Sequence, residues 1–171
     1  PFVHAGLNQA VDYGSYATER FRYASLQLAE ARDGEVAFDL PANAPDAGRR
    51  IAAYYWWIFP NLMFNFYPWG LSLNVVLPEA IDRTRVLFRA YVSDASKLST
   101  GAGAALHEVE MEDEAVVAAV QRGTASRLYQ HGRYSPTREQ GTHHFHRLLG
   151  EFLAAAPPAA PLGALMEAGE C

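Results

Sequence analysis

Between Ala52 and Leu77 the chain is dense in aromatic and aliphatic residues, but Pro60, Asn61, Asn65, Pro68, Gly70 and Asn74 break it into short pieces. A membrane-crossing helix needs ~20 mostly apolar residues in one run, which this stretch does not supply. Its pieces read as strands. Ala53-Tyr-Tyr-Trp-Trp-Ile-Phe is aromatic and β-prone, and Leu62-Met-Phe-Asn-Phe-Tyr repeats that character after Pro60-Asn61. Leu71-Ser-Leu-Asn-Val-Val-Leu alternates, turns over Pro78 to Arg83, and Thr84-Arg-Val-Leu-Phe-Arg-Ala-Tyr-Val alternates again. Connections this short join antiparallel strands, because a parallel pair needs a crossover of about a dozen residues or more.

The same pattern extends upstream. Phe2 to Tyr13 suits a short helix or loop carrying His4, and the residues from Tyr16 to Ala29 suit one half-buried strand. Ala31 to Gly34 reads as a turn, Val36 to Leu40 as a short strand, and Pro41 to Arg50 as a loop. Helices are expected late. One covers Glu110 to Thr124, with Gly123 to end it, and a second runs from about Thr142 to Ala156 and stops at Pro157-Pro158. The expected fold is α+β: a large twisted antiparallel sheet with helices packed on one side. Residues 1–153 form one domain and 154–171 a loose Ala/Pro-rich tail.

Charge and cysteine content narrow the partners. The 171 residues carry a net charge of −5 and show no basic patch, which argues against nucleic acid. The one cysteine, Cys171, excludes a disulfide framework and a cysteine-ligated cluster or zinc site, and suits a reducing cytoplasm. The sequence opens at Pro1 without a methionine or a signal-like segment, as if partway through a longer chain.

Glu112, Asp113 and Glu114 are expected to open the first long helix. Acids in a first turn commonly do no more than complement the helix dipole. Helical spacing singles out one of them, however. Asp113 shares its face with Val116, Val117 and Val120, the most apolar of the three stripes, and so should point at the core. A core-facing carboxylate is costly unless paired, protonated or bound to metal, which makes Asp113 a candidate ligand. An Asp113 carboxylate out in solvent, or many ångströms from the start of the chain with no cavity between, would collapse that reading.

Glu112-Asp113, then Gln121-Arg122-Gly123, then Tyr129 and Gly132-Arg133-Tyr134-Ser135-Pro136 resemble the catalytic domain of Rieske oxygenase α-subunits. The closest look is to the branch acting on quaternary ammonium compounds, such as choline and carnitine monooxygenases. Tyr55 to Trp69, around Phe59-Pro60-Asn61-Leu62-Met63, is similar to the same branch, and Pro1-Phe2-Val3-His4-Ala5-Gly6-Leu7 resembles the segment after the family's first histidine ligand. The likeness runs from Pro1 to about Leu149, with its pieces in order.

The resemblance implies a helix-grip, START-like domain holding one Fe(II) with two histidines and a carboxylate, the facial triad that leaves positions open for O2. It places His4 as the second histidine and Asp113 as the carboxylate, with the first histidine upstream of Pro1. The Rieske domain, whose [2Fe–2S] cluster takes two cysteines and two histidines, would also lie upstream, as would the carboxylate that relays electrons between subunits. It further implies a ferredoxin or reductase donor, a homotrimer, and hydroxylation or demethylation of a small organic substrate, a quaternary ammonium compound or an aromatic one. These residues alone are expected to be inactive.

Tyr55, Trp57, Phe64 and Phe66 are the aromatics assigned to the substrate pocket, while their neighbours pack the core, because side chains alternate along strands. Aromatic faces attract ammonium groups, by up to ~2 kcal/mol each when desolvated. His143, His144 and His146 read as a polar helix face rather than a zinc site, since no acidic or cysteine partner stands beside them. Tyr129 and Tyr134 read as packing residues. The alternative function is a non-enzymatic START-like carrier for an apolar ligand, because fold alone does not specify activity. Iron separates the two.

Overall fold

Six strands follow one another along the chain and keep that order in a single sheet. They are β1 (Val11–Phe21), β2 (Ala24–Ala31), β3 (Ile51–Ile58), β4 (Leu62–Tyr67), β5 (Gly70–Ala80) and β6 (Arg83–Val92). Each pairs antiparallel with the next. The computed structural model describes residues 4–155. Three helices accompany the sheet: α1 (Ala5–Ala10), α2 (Leu106–Thr124) and α3 (Gln140–Ala155). The architecture is therefore α+β, as the strand meander and late helices imply. The first three residues, Pro157-Pro158, Cys171 and the rest of the tail from residue 156 lie outside the described residues. Ala154 and Ala155 belong to α3, not to the tail.

Several local expectations are corrected. Tyr16 to Ala29 is not one strand but the hairpin of β1 and β2, with Phe21 opposite Ala24 and the turn at Arg22-Tyr23. That turn carries no Gly, Pro, Asn or Asp to announce it. Strand β1 also begins earlier, at Val11, and its pairing shifts between Asp12 and Ala17. There the Gly14 amide donates to the Asp12 carboxylate (2.9 Å), and the Ser15 hydroxyl donates to the Asp12 carbonyl (2.8 Å). Val36 to Leu40 forms no strand. It runs as an irregular cover instead, with the Phe38 amide donating to the Ile51 carbonyl (2.8 Å) and the Phe38 ring 5.4 Å from that of Tyr54. Strand β5 continues through Pro78 to Ala80, the pairing slipping between those two residues. Proline tolerates such a slip because it donates nothing to the ladder.

The sheet packs on both faces. On one side Leu26, Leu28 and Ile51 are buried, with Phe38, Leu40, Tyr54 and Trp56 against them. On the other, Val11, Ala29, Ala53, Tyr67, Trp69 and Ala102 form the larger core, with Leu7, Tyr55 and Leu106 at its edge. Full burial of an aliphatic side chain such as Ile51 is worth about 1.5–3 kcal/mol. Helix α3 is held by Leu148, which is buried, and by Phe145, whose ring meets Trp57 edge-on at 5.0 Å.

Helix α2 behaves differently. It buries no residue, and Val116, Val117 and Val120 are exposed by 44%, 67% and 57%. It also begins at Leu106, so its first turn holds only Glu108 as an acid. Glu112, Asp113 and Glu114 fall beyond that turn, which removes the simple dipole explanation for them.

The approach to α2 is tight. Gly103 sits over the stacked rings of Tyr67 and Trp69, whose centroids are 5.3 Å apart. A Cβ at Gly103 would meet the Trp69 ring nitrogen at 2.2 Å and Tyr67 at 2.9 Å. At Gly123, in α2, a Cβ would meet nothing within 4 Å. Gly103→Ala is therefore expected to destabilise by ~1–3 kcal/mol through overpacking, whereas Gly123→Ala should stabilise by ~0.5–1 kcal/mol by favouring helix. Equilibrium urea unfolding of the two variants beside the parent checks both signs.

Candidate functional site

Between the sheet and its helices lies a cavity of about 640 Å³. Leu7 of α1, Tyr16 and Gln27 of the first hairpin, Tyr55 and Trp57 of β3, Met63 and Asn65 of β4, and Asn74 of β5 contribute to its wall. Leu106, Val109, Glu110 and Asp113 line it from α2, and Thr142 and Phe145 from α3. The four α2 residues follow helical spacing, so one face of the first half of that helix closes the cavity.

His4 stands at the cavity rim in an unusual backbone state. Its φ of 58° and ψ of 40° put it in the left-handed region, as the residue just before α1. For a residue other than Gly this costs on the order of 1–3 kcal/mol, and such outliers gather at functional sites. Two acids from α2 grip the residue. The His4 amide donates to Glu112 Oε2 (2.6 Å), and His4 Nδ1 lies 3.1 Å from the same oxygen. His4 Nε2 lies 3.1 Å from Asp113 Oδ1. The ring is thus spanned, one nitrogen to each carboxylate. His4 is the less exposed partner, at 21% of its side chain.

Asp113 is not the buried acid that its apolar stripe suggests. Its side chain is 60% exposed, because the valines below it on α2 meet no cover among the described residues. The cost of burying a carboxylate therefore does not apply to it. What remains is its contact with His4 and its place on the cavity wall. A ring nitrogen and a carboxylate oxygen bound cis to one ion at ~2.1 Å stand about 3.0 Å apart, so the spacing of this pair fits two adjacent ligands of one metal. Among the described residues no set of three or more His, Cys, Asp or Glu side chains gathers as a metal-binding group. His4 and Asp113 are the two candidate ligands that the described residues bring together.

Phenols deeper in the cavity stay neutral. Burial pushes Tyr16 up to about 12, helped by Tyr13, and its hydroxyl donates to Gln27 Oε1 (2.9 Å). Burial also raises Tyr55 and Tyr67, the latter further by the nearby Glu110 charge. Glu110 is raised in turn, first by burial and then by Glu114 and Asp113, with His107 opposing.

The profile of the family described as "Ring hydroxylating alpha subunit (catalytic domain)" matches residues 1–155. The chain belongs to this family. Within it, choline monooxygenase of Arabidopsis thaliana, a chloroplast protein by name, is 33% identical over 156 residues, covering 87% of this chain and 35% of the relative. The corresponding protein of Beta vulgaris is 28% identical over 159 residues, covering 90% of this chain and 34% of its own length. The chain thus spans about a third of these relatives. A solved quaternary ammonium Rieske monooxygenase, described with carnitine oxidation by gut microbiota and inter-subunit electron transfer, superposes with a TM-score of 0.66 at 22% identity, covering 88% of this chain and 42% of the other. A second, in complex with an inhibitor, gives 0.60 at 21% identity, covering 87% and 41%. At such identities these two structures establish the fold, and it is that of the Rieske oxygenase catalytic domain. With Cys171 as the one cysteine, these residues do not include a Rieske cluster.

Other sequence-selected residues of this family domain sort by face. Tyr55 and Trp57 line the cavity, whereas Phe64 and Phe66 are not part of its wall. Across β3 and β4, Trp57 pairs with Met63 and Tyr55 with Asn65, while Phe64 pairs with Trp56 and Phe66 with Tyr54. The two phenylalanines therefore share the far face, their rings stacked 6.5 Å apart. His144 Nε2 lies 2.8 Å from the Phe21 carbonyl, and the Tyr134 hydroxyl meets His146 Nδ1 at 2.5 Å. Tyr129 and Tyr134 are exposed rather than packed in the core. Glu112 and Glu110 are site residues that the sequence pattern alone does not single out. Glu112 adjoins Asp113, and Glu110 sits one turn before it, a spacing that puts both cavity acids on one face.

Because the folded pKa of Glu110 is raised, its ionised form opposes folding. The parent should therefore gain stability relative to Glu110→Gln as pH falls through the raised range. Above that range the variant should melt no lower than the parent. Thermal melts of both proteins from pH 4 to 8 check the sign and the convergence.

Proposed function

We propose that this domain is the mononuclear-iron part of an oxygenase that hydroxylates or demethylates a small organic substrate, with a quaternary ammonium compound as the favoured class. The observation that carries the reading is the His4–Asp113 contact of 3.1 Å at the mouth of the cavity, in a chain of the ring-hydroxylating family. Bound there with a histidine from the sequence before Pro1, Fe(II) would supply dioxygen activation, fed with electrons from a [2Fe–2S] Rieske cluster elsewhere in the full protein.

The chain's own residues have plainer tasks. With a metal bound, His4 would donate its Nδ1 proton to Glu112 and give the lone pair of Nε2 to the ion beside Asp113. Its left-handed backbone turns the amide to the same carboxylate, so Glu112 orients both main chain and ring. Asp113 supplies an anionic oxygen on the cavity side. Tyr55, Trp57 and Phe145 offer ring faces to a cation or an apolar group, and the neutral phenols add no competing charge. The likeness to quaternary ammonium and choline monooxygenases supports the ammonium class over an aromatic one.

The full protein would draw electrons from a ferredoxin or reductase and work as a homotrimer. The described inter-subunit electron transfer of the structural relative supports such an assembly. Among the described residues no helix is long and apolar enough to cross a membrane. A reducing compartment, cytoplasm or plastid, suits the lone cysteine.

Metal binding tests the reading. In the full-length protein, Asp113→Ala is expected to abolish Fe(II) binding, and Glu112→Gln to weaken it roughly 10–100-fold, as loss of a group that orients a ligand does. Titration of the apoprotein with Fe(II) under anaerobic conditions gives both numbers. An Asp113→Ala variant that holds iron as well as the parent overturns the assignment and leaves the carrier function.

A further inference from the structure

We propose that Glu110 is the residue that reads substrate charge in the cavity: it receives the cationic pole of a substrate whose remainder is uncharged, an amino alcohol rather than a zwitterion bearing a carboxylate. The inference rests on the cavity being the substrate pocket.

Three observations lead to it. Among the described lining residues the charged groups are Glu110, Asp113 and His4, with no Lys or Arg. Asp113 is already engaged with His4, whereas Glu110 takes part in no hydrogen bond or ion pair among the described residues. Glu110 is also half-buried and faces the cavity beside Tyr67, close enough for its charge to act on that phenol. The exposed His107 acts on Glu110 only through its charge, without a direct bond, and a partly desolvated carboxylate in that state is costly, a cost that a bound cation removes.

The other polar groups of the wall are neutral. Asn61 donates to the Val76 carbonyl (3.0 Å), Asn74 accepts from the Ser72 hydroxyl (3.1 Å), and Gln27 accepts from Tyr16 (2.9 Å). They can bond a hydroxyl or an ether. A substrate carboxylate would lose its water without gaining a cationic partner from the wall, and would meet the Glu110 charge. Helical spacing also puts Glu110 one turn from Asp113, about 5–6 Å between Cβ atoms. A cation held by Glu110 thus lies next to the His4–Asp113 pair.

Calorimetric titration of the full-length protein with choline, with carnitine and with 3,3-dimethyl-1-butanol, the uncharged analogue of choline, tests the inference. The parent should bind choline about tenfold or more tighter than the neutral analogue, as expected for a desolvated charge pair, and tighter than carnitine. Glu110→Gln should lower both preferences severalfold, leaving what the ring faces contribute, and leave affinity for the neutral analogue nearly unchanged. Glu110→Asp, which keeps the charge but draws it back by one methylene, should restore part of the preference. A Glu110→Gln protein that melts like the parent and keeps both ratios overturns the role of Glu110 while leaving the pocket intact. A parent that binds neither ammonium compound overturns the ammonium reading of the pocket and this inference with it. Should Glu110→Gln fail to fold, Glu110→Asp decides: equal loss for charged and neutral ligands overturns the inference, and a loss confined to the charged ones supports it.

Discussion

Helix α2 buries no residue fully, and beyond Leu106 and Val109 the hydrophobic effect does little to decide where it lies over the sheet. The grip on His4 takes over that task. Through its amide and both ring nitrogens, one residue near the start of the chain reaches two consecutive acids in the middle of the helix. The dependence is mutual. The left-handed turn at His4 would be strained for nothing without Glu112 to meet its amide. Without His4, the acids would be two more solvated side chains on an exposed helix.

The sheet supplies the rigid half of the cavity. The tight turns from β3 through β6 leave no freedom in which face of each of these strands looks inward, because a shift of one residue would exchange the two faces. This explains why the fold class could be read from residues 53 to 92 while the cavity wall could not. Alternation selects Tyr55 with Trp57, and Phe64 with Phe66, as same-face pairs, and each pair does share a face. The relative phase of the two strands depends on the Phe59–Asn61 turn. Pairing of Ile58 with Leu62 sends Met63 and Asn65 inward and both phenylalanines outward. The Arg22-Tyr23 turn was hidden for a related reason: its residues carry ordinary strand propensity.

At the site, periodicity led to Asp113 through a premise that the structure does not support. The apolar stripe of Val116, Val117 and Val120 exists, but it faces solvent among the described residues. The inward face of α2 is set instead by Leu106 and Val109, which lie on the same side but before the expected helix start. Had the helix been begun at Leu106, Glu110 would have been legible as a cavity acid. Contacts between Glu112 and His4 were beyond sequence reasoning, since they join residues 108 positions apart.

The closeness of Gly103 to the Tyr67–Trp69 stack has a geometric consequence for the whole rim. It anchors the chain only a few residues before Leu106, and every residue of an α-helix advances the direction of its side chain by about 100°. Inserting or deleting a single residue between that anchor and α2 would rotate the acids away from the imidazole without touching any of them. The spacer is therefore a fixed gear tooth, and its length matters as much to the site as the identity of the groups that form it.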